Sequence, residues 1–419
     1  MMVPHLSLWQ KSVKGLKHVK NTLELWLGQT MYRPFSAFAP NAQESAWWEK
    51  LFFWLVFLPS SFLYGFAMLA WHGYWQLYAC MVSSYRLTKS PLILSIGNLT
   101  VGGTGKTPFT IALAQWLSTQ GYRVVILTRG YRSTSHHQEG GQGMEASVPV
   151  LVTHPSQGDE AYLMATSLKP WQVPVLSGKH RLKGIQLATD HYHAQIILMD
   201  DAHQHRKAPR HLNLVLVGSP SRPWGNGLLL PAGPLREPVW MGLQRTDALL
   251  VSEETQATTK ALSSVFKGRT TTFTLPKPHT VLTSVAHVPL SSDLLASPAF
   301  WANGTLVTAI ARPERVLETY QVLAARATSQ PIAPKAWVSY PDHYDYTPEE
   351  LWSFFTQPDA RVCTTEKDWV KWQVLLPEAY HVQVVLLKYE LTLPKAFTEW
   401  LSPLLPSVTD ATDKEPSLG

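Results

Sequence analysis

The sequence predicts an α/β protein. A doubly wound, mostly parallel sheet is built around a phosphate-binding loop (P-loop), joined to a second, smaller α/β unit and preceded by an N-terminal membrane-associated helix. Three observations carry that expectation. The run Gly102-Gly103-Thr104-Gly105-Lys106-Thr107 stands between an apolar stretch at 92–96 and a helical pattern at 109–117. Other short, nearly all-apolar runs alternate with amphipathic stretches as far as residue 252. From residue 51 to residue 85 there is no Asp, Glu, Lys or Arg.

Composition narrows the function classes. A chain of 419 residues suggests two or three domains, and 45% hydrophobic residues suffice for real cores. The net charge of +6 makes an anionic partner or surface plausible. Lys and Arg are spread thinly, so no block argues for nucleic acid. Two cysteines, Cys80 and Cys363, form no disulfide framework and fit a reducing compartment.

Residues 1–45 read as a basic extension, with Lys11, Lys14, Lys17 and Lys20. Residues 11–27 fit either a basic amphipathic helix on anionic lipid or an ordinary solvated helix. Residues 46–89 form the membrane-associated region: a short apolar segment at 51–58, then a helix at about 61–84. About 20 apolar residues cross a bilayer core, and this stretch is long enough. Trp47, Trp48, Trp71, Tyr74, Trp75 and Tyr78 crowd its borders, as interfacial aromatics do. It starts too far from Met1, without a clear cleavage site, for a signal peptide. Whether it spans the bilayer or lies in one leaflet is left open by the sequence. Basic flanks on both sides leave orientation open too, but a nucleotide loop puts the following domain in the cytosol.

Residues 90–278 read as the nucleotide domain. Strands are expected at 92–96, 124–128, 195–199, 212–217 and 248–252, apolar on both faces as buried parallel strands are. Helices are expected at 160–168 and 182–191. Ligands in such sheets bind at the carboxyl ends of the strands. Pro276-Lys277-Pro278 marks a linker. Residues 279–402 form the smaller unit, with strands at 305–310, 337–340, 360–364 and 381–387 and helices at 313–324 and 348–356. A tail fills 403–419.

Strand, glycine loop, lysine, hydroxyl and helix make a phosphate cradle. Residues Thr100, Val101, Gly102, Gly103, Thr104 and Gly105 turn backbone N–H groups toward a phosphate chain, and the helix that follows aims its positive end at the same anion. Lys106 reaches the outer phosphates and Thr107 can hold Mg²⁺. Thr100 stands where the usual pattern has its first glycine. The core of the loop is also similar to the variant loop of ParA/MinD-type ATPases, which carry an extra lysine where this chain has Val101. Downstream, Ile196-Ile197-Leu198-Met199-Asp200-Asp201 is an apolar strand ending in carboxylates, as a magnesium site beside the loop requires. Asp201, His203 and His205 also have zinc-ligand spacing, with His191 and His193 nearby. A zinc site would leave the glycine loop without a task, and His191 and His193 read as a polar helix end.

Further motifs make the pattern specific. Thr128-Arg129-Gly130-Tyr131 follows the second strand, and Gly158-Asp159-Glu160-Ala161 opens a helix. Asp200-Asp201 precedes Gln204-His205-Arg206. Arg222-Pro223-Trp224-Gly225-Asn226-Gly227 leads to Leu230-Pro231-Ala232-Gly233-Pro234-Leu235-Arg236-Glu237-Pro238. Ala311-Arg312-Pro313-Glu314-Arg315, Pro341-Asp342-His343-Tyr344 and Thr364-Thr365-Glu366-Lys367-Asp368 come later. Together with Gly97-Asn98-Leu99-Thr100 and the loop, these resemble the tetraacyldisaccharide 4'-kinase family of the lipid A pathway, over about residues 46–402. That family also has threonine at the position of Thr100. It usually reads Gly-Phe where this chain has Ala202-His203, a change expected to alter packing beside the metal without removing a carboxylate.

The resemblance implies ATP and Mg²⁺ as cofactors. It implies an acylated glucosamine disaccharide 1-phosphate as the lipid acceptor, its 4'-hydroxyl phosphorylated at the cytoplasmic leaflet of the bacterial inner membrane. It implies a catalytic set of Asp159 as base, paired with His343, with Lys106 and Arg236 as charge clamps. Thr107, Asp200 and Asp201 would hold the metal, and Asn98, Arg181, Gln204 and Glu237 the substrate. On the residues alone, Asp159 also reads as a helix N-cap, His343 as a loop residue held by Asp342, and Arg181 as a surface charge. Bringing Asp159 to His343 calls for domain closure about a hinge near Pro276. The alternative function is a membrane-tethered ATPase switch of ParA/MinD type.

Overall fold

The computed structural model describes residues 47–81, 91–129, 149–218, 223–252, 270–286, 288–310, 313–341, 344–357 and 360–407. The basic extension, Gly130, Tyr131, Arg222, Ala311, Arg312, Asp342 and His343 lie outside them.

The chain begins with α1 (Trp47–Phe52), a wide helical turn (Phe53–Phe57) and α2 (Leu58–Met81). The expected break between an apolar segment at 51–58 and a helix at 61 is absent. The Leu58 N–H reaches back to Phe53 O, one residue further than in an α-turn. That widened turn precedes Pro59, whose ring and missing N–H disturb a regular helix at this point. Helical structure therefore passes the proline. Phe53 and Phe57 are buried against Ala232 and Leu228, whereas Leu55, Phe62, Leu63, Phe66 and Leu77 are exposed.

The first sheet holds β1 (Leu92–Gly97), β2 (Val124–Thr128), β3 (Val150–Leu151), β4 (Val175–Ser177), β5 (Ile196–Met199), β6 (Leu212–Val217), β7 (Ala248–Ser252) and β8 (Thr271–Leu275). Their order is β3-β4-β2-β5-β1-β6-β7-β8, parallel except for β3. The five longer apolar runs are strands as expected. β4 and β3 are too short for their periodicity to be legible, and β8 lies just before the expected linker. β1 is central, pairing Ser95 with Met199 on β5 and with Asn213 on β6. This register sets the glycine loop beside the Asp200-Asp201 pair.

Helices cover both faces. On one side α3 (Lys106–Thr119) and α4 (Asp159–Leu168) bury Phe109, Leu113, Leu117, Met164 and Leu168. On the other, α5 (Arg181–Asp190) packs Ala188 against Leu127, Ile197 and Met199. A short α6 (Val239–Leu243) sets Leu243 beside Leu99 and Val217.

The second sheet contains β9 (His279–Ser284), β10 (Gly304–Thr308), β11 (Ala336–Ser339), β12 (Arg361–Thr365) and β13 (Val384–Glu390), in the order β11-β10-β12-β13-β9 with β9 antiparallel. The strand expected at 381–387 begins later, because residues 378–383 form a 3₁₀ turn. Around this sheet lie α7 (Ser292–Leu295), α8 (Pro298–Ala302), α9 (Pro313–Thr328), α10 (Pro348–Trp352) and α11 (Glu366–Trp372). Trp301, Val316 and Tyr320 fill one face, and Leu351, Trp369 and Trp372 the other.

The chain then returns. α12 (Lys395–Leu401) places Phe397 and Leu401 in the core of the first sheet, with Phe397 edge-on to Phe109 and Phe273. The sequence assigns these residues to the smaller unit up to 402. Their apolar face instead completes the larger core, so the two units share both ends of the connection. Truncating a large buried side chain leaves a cavity. Phe397→Ala is therefore expected to destabilise the first unit by about 3–5 kcal/mol in denaturant unfolding. A change under about 1 kcal/mol would mean that α12 is not integral to that core.

Candidate active site

The phosphate loop is shaped by its neighbours. Gly105 takes φ 83° as the N-cap of α3, a left-handed conformation that suits glycine and turns the chain into the helix. Residues 99–101 are held by a second segment, 234–236. Val101 N–H donates to Pro234 O at 2.8 Å, Arg236 N–H donates to Leu99 O at 2.8 Å, and Thr100 bridges Leu235. From the other side, the buried Asn98 donates through Nδ2 to Thr104 Oγ1 at 3.0 Å. Gln204 donates to Asn98 O at 2.8 Å.

At the mouth of the loop three charged groups converge. Arg236 NH1 lies 2.9 and 3.1 Å from the two Asp201 oxygens, and Lys106 Nζ lies 3.5 Å from Asp201 Oδ1. Burial alone would raise the Asp201 carboxyl; Lys106 and Arg236 outweigh it and hold it below the usual range. Its neighbour differs. Asp200 is buried, accepts from Thr110 Oγ1 at 3.4 Å, and is pushed up to about 6 by desolvation, against the pull of Lys106. Adjacent carboxylates thus have opposite proton affinities, set by environment rather than by residue type.

Arg181 is 4% exposed, so the surface-charge reading fails. Its NH2 donates to Asp200 O at 2.8 Å and its NH1 finds no hydrogen-bond partner. Burial pushes its guanidinium down to about 10. Glu237 is 1% exposed and lies under the site, 2.9 Å from Arg245, 3.9 Å from Arg206 and 3.2 Å from Gln204. Through Gln204 and Asn98, this buried charge network supports the loop.

His203 is fully buried beside Gly97, and its Nε2 lies 3.2 Å from Gly242 O. Burial and the nearby Arg245 and Arg210 push its imidazole well below its ordinary range, so it sits there as a neutral ring. The zinc reading does not assemble: Asp201 faces Lys106 and Arg236 while His203 faces Gly242. Among the described residues no group of three or more His, Cys, Asp or Glu is placed to hold a metal by itself. Magnesium, by contrast, needs only one or two carboxylates when substrate phosphates complete its shell. The adjacent Asp200 and Asp201, just past the end of β5, supply that number of carboxylates.

Asp159 is the first residue of α4. The N-cap position is held by Gly158, without a side-chain cap bond, so the capping reading does not hold. Its Oδ2 lies 3.0 Å from Lys371 Nζ on α11, and Glu160 lies 4.0 Å from Lys367. The expected partner His343 lies outside the described residues. The following residue, Tyr344, accepts from Lys371 Nζ through its carbonyl at 2.8 Å.

Sequence reasoning missed Lys371, Tyr64, Arg206 and Arg245. Arg206 left a trace as the last residue of the Gln204-His205-Arg206 motif, and Lys371 left one a helical turn after Lys367. The N-terminal helix also reaches this region. Tyr64 OH donates to Arg236 O at 2.6 Å, Ser61 Oγ to Leu229 O at 2.8 Å, and Arg206 NH2 lies 2.9 Å from His72 Nδ1.

Comparison with known proteins identifies the family. The family model for tetraacyldisaccharide-1-P 4'-kinase (LpxK) matches residues 53–406. A tetraacyldisaccharide 4'-kinase from Syntrophus aciditrophicus is 33% identical over 308 residues, covering 67% of this chain and 75% of that protein. One from Legionella pneumophila is 28% identical over 325 residues, covering 78% and 86%. The crystal structure of LpxK from Aquifex aeolicus in complex with ATP superposes with a TM-score of 0.60 at 26% identity, covering 83% of this chain and 98% of that one. With a family model matched over residues 53–406 and a relative 33% identical over 67% of its length, the chain belongs to the tetraacyldisaccharide-1-P 4'-kinase family.

Proposed function

We propose that this protein transfers the γ-phosphate of ATP to the 4'-hydroxyl of a tetraacyl glucosamine disaccharide 1-phosphate, a step in lipid A biosynthesis. The observation that carries this reading is the convergence of Lys106, Arg236 and the Asp200-Asp201 pair at the mouth of the glycine loop. Phosphoryl transfer is mostly positioning and charge neutralisation. The loop N–H groups cradle the phosphates and Lys106 meets their outer charge. Arg236, which shares Asp201 with Lys106, is the second cation available to negative charge on the transferred group. Magnesium, bound through Thr107, Asp200 and Asp201, would neutralise the phosphate oxygens. Asp159 accepts the proton of the sugar hydroxyl, with His343 as its partner from the second unit. Arg181 and Gln204 border the acceptor side. Against the switch alternative, this chain lacks the extra loop lysine of that type, since Val101 occupies the position.

The acceptor is a lipid, and the N-terminal helix suits it. Phe53, Phe57, Ser61, Tyr64 and His72 face the first unit along much of the helix. Crossing the bilayer would strip these contacts. The reading they support is a helix lying in one leaflet, with Leu55, Phe62, Leu63 and Phe66 in the acyl region and the catalytic unit on the cytoplasmic face of the inner membrane. The sugar head then enters the cleft while its chains stay in lipid. Nucleic acid has no part in this chemistry.

Three outcomes test these readings. With Mg-ATP and the disaccharide lipid, the purified protein is expected to yield a product heavier by one phosphate in mass spectrometry. Asp159→Ala should lower that rate by about 100-fold or more while nucleotide binding stays near normal. Loss of nucleotide binding instead would move Asp159 into the nucleotide site.

The second outcome concerns pH. Burial raises Asp200 to about 6, so below that pH its carboxyl carries a proton that must leave before the oxygen can hold a dication. Asp201, held low by Lys106 and Arg236, stays ionised through this window. Magnesium-dependent nucleotide affinity should fall as pH drops through about 6, approaching tenfold per unit. An affinity flat from about pH 5 to about pH 8 would contradict it.

The third concerns the membrane. Each exposed Phe gains about 1.5–3 kcal/mol on burial in lipid. Phe62→Asp combined with Phe66→Asp should weaken sedimentation with anionic vesicles by at least about tenfold. Nucleotide affinity should not change. Unaltered sedimentation would remove this face from the membrane contact.

A further inference from the structure

Lys371 sits on α11 at the seam between the two units, with no role assigned by the phosphate site. Its Nζ lies 3.0 Å from Asp159 Oδ2 and donates to Tyr344 O at 2.8 Å. A single ammonium therefore joins the first turn of α4, the helix α11, and the segment that follows Pro341-Asp342-His343. The two side chains are 13% and 20% exposed, so water screens the contact only in part.

The support beneath Lys371 is rigid. Asp368, one turn earlier on α11, is buried and accepts from Thr365 Oγ1 at 2.7 Å and Tyr346 OH at 3.1 Å. It also accepts the Ala309 N–H, at 3.1 Å. These bonds pin the helix start to the exit of β10 and to the segment carrying Tyr344. Tyr344 OH in turn donates to Glu350 Oε1 at 2.9 Å. The ammonium is thus delivered to Asp159 by a braced helix, while the loop beside it is fixed at both a backbone and a side-chain atom.

We propose that Lys371 is a positioning residue for phosphoryl transfer: it aims the Asp159 carboxylate and ties it to the Tyr344 carbonyl of the second unit. The inference rests on Asp159 being the base. An ammonium 3.0 Å from one carboxylate oxygen fixes the direction in which that carboxylate points. A loose phosphoryl transition state asks for little proton transfer and depends on alignment. Taking both charges largely out of water offsets much of their attraction, so simple adhesion between the units is a poor reason for this contact. Alignment uses what the pair offers: one fixed oxygen of Asp159, at a set place relative to the second unit.

The test uses the full chain with Mg-ATP and the disaccharide lipid in mixed vesicles. Lys371→Met keeps the length of the side chain and removes the charge. It is expected to lower kcat by about 30-fold, with KM for ATP within about twofold and one nucleotide still bound per chain. Lys371→Arg, which restores a cation, should recover about fivefold or more of that loss. In an Asp159→Asn background, Lys371→Met should add less than about a twofold further loss, because the two residues act as one unit.

A Lys371→Met enzyme that keeps kcat within about threefold of the starting protein overturns the inference. So does an equal loss in both backgrounds, which marks a structural role. If Lys371→Met fails to bind nucleotide, the Arg variant decides: activity as low as Asp159→Asn despite normal nucleotide binding overturns it as well. The underlying reading fails separately, through an Asp159→Asn protein that transfers phosphate at the unsubstituted rate.

Discussion

A loop that wraps phosphate with its backbone cannot rely on its own side chains for shape, and this constraint organises the molecule. Glycine gives close approach and left-handed turns, at the expense of conformational order. The order is supplied from outside. Residues 234–236 pair with residues 99–101, and Asn98 braces Thr104 from below. The same segment carries Arg236, whose guanidinium meets Asp201 beside Lys106. Shaping the loop and placing Arg236 beside Asp201 are thus one structural act. The buried network of Glu237, Arg245, Arg206 and Gln204 stands behind both, its carboxylate charge satisfied from several sides as buried charges must be.

The N-terminal helix belongs to that arrangement. Tyr64 bonds the carbonyl of Arg236, and Arg206 bridges from His72 to the neighbourhood of Glu237. The element with the exposed apolar face is therefore mechanically continuous with the element that holds the phosphate loop. In the proposed function this makes sense, since the acceptor arrives from lipid and the donor from water. On the opposite side of the cleft, Lys371 and the Asp368 cluster give the second unit a firm hold on Asp159. α12 closes the connection by returning Phe397 to the first core.

Much of this was legible because it depends on local chemistry. The loop core, the apolar strands at 92–96 and 124–128, and the Asp200-Asp201 strand end declare themselves through period and residue type. The opposite pKa shifts of Asp200 and Asp201 do not, since both are aspartates and only burial and the facing Lys106 and Arg236 separate them. Arg181 read equally well as a surface charge, yet it is buried against Asp200 O. Pro59 looked like a boundary, and a widened turn carried the helix through. Asp159 had the composition of a cap, but Gly158 took that position.

By itself the sequence determined that a phosphate cradle sits at the exit of a buried parallel strand, with an acid pair in the same sheet, because backbone propensity and apolar periodicity are properties of short stretches. Only the tertiary structure decided which charges face each other. Tyr64 meets Arg236, Lys371 meets Asp159, and Phe397 meets Phe109. Each pair is far apart along the chain. Such contacts follow from how whole elements pack, and no local pattern of residues encodes that distance.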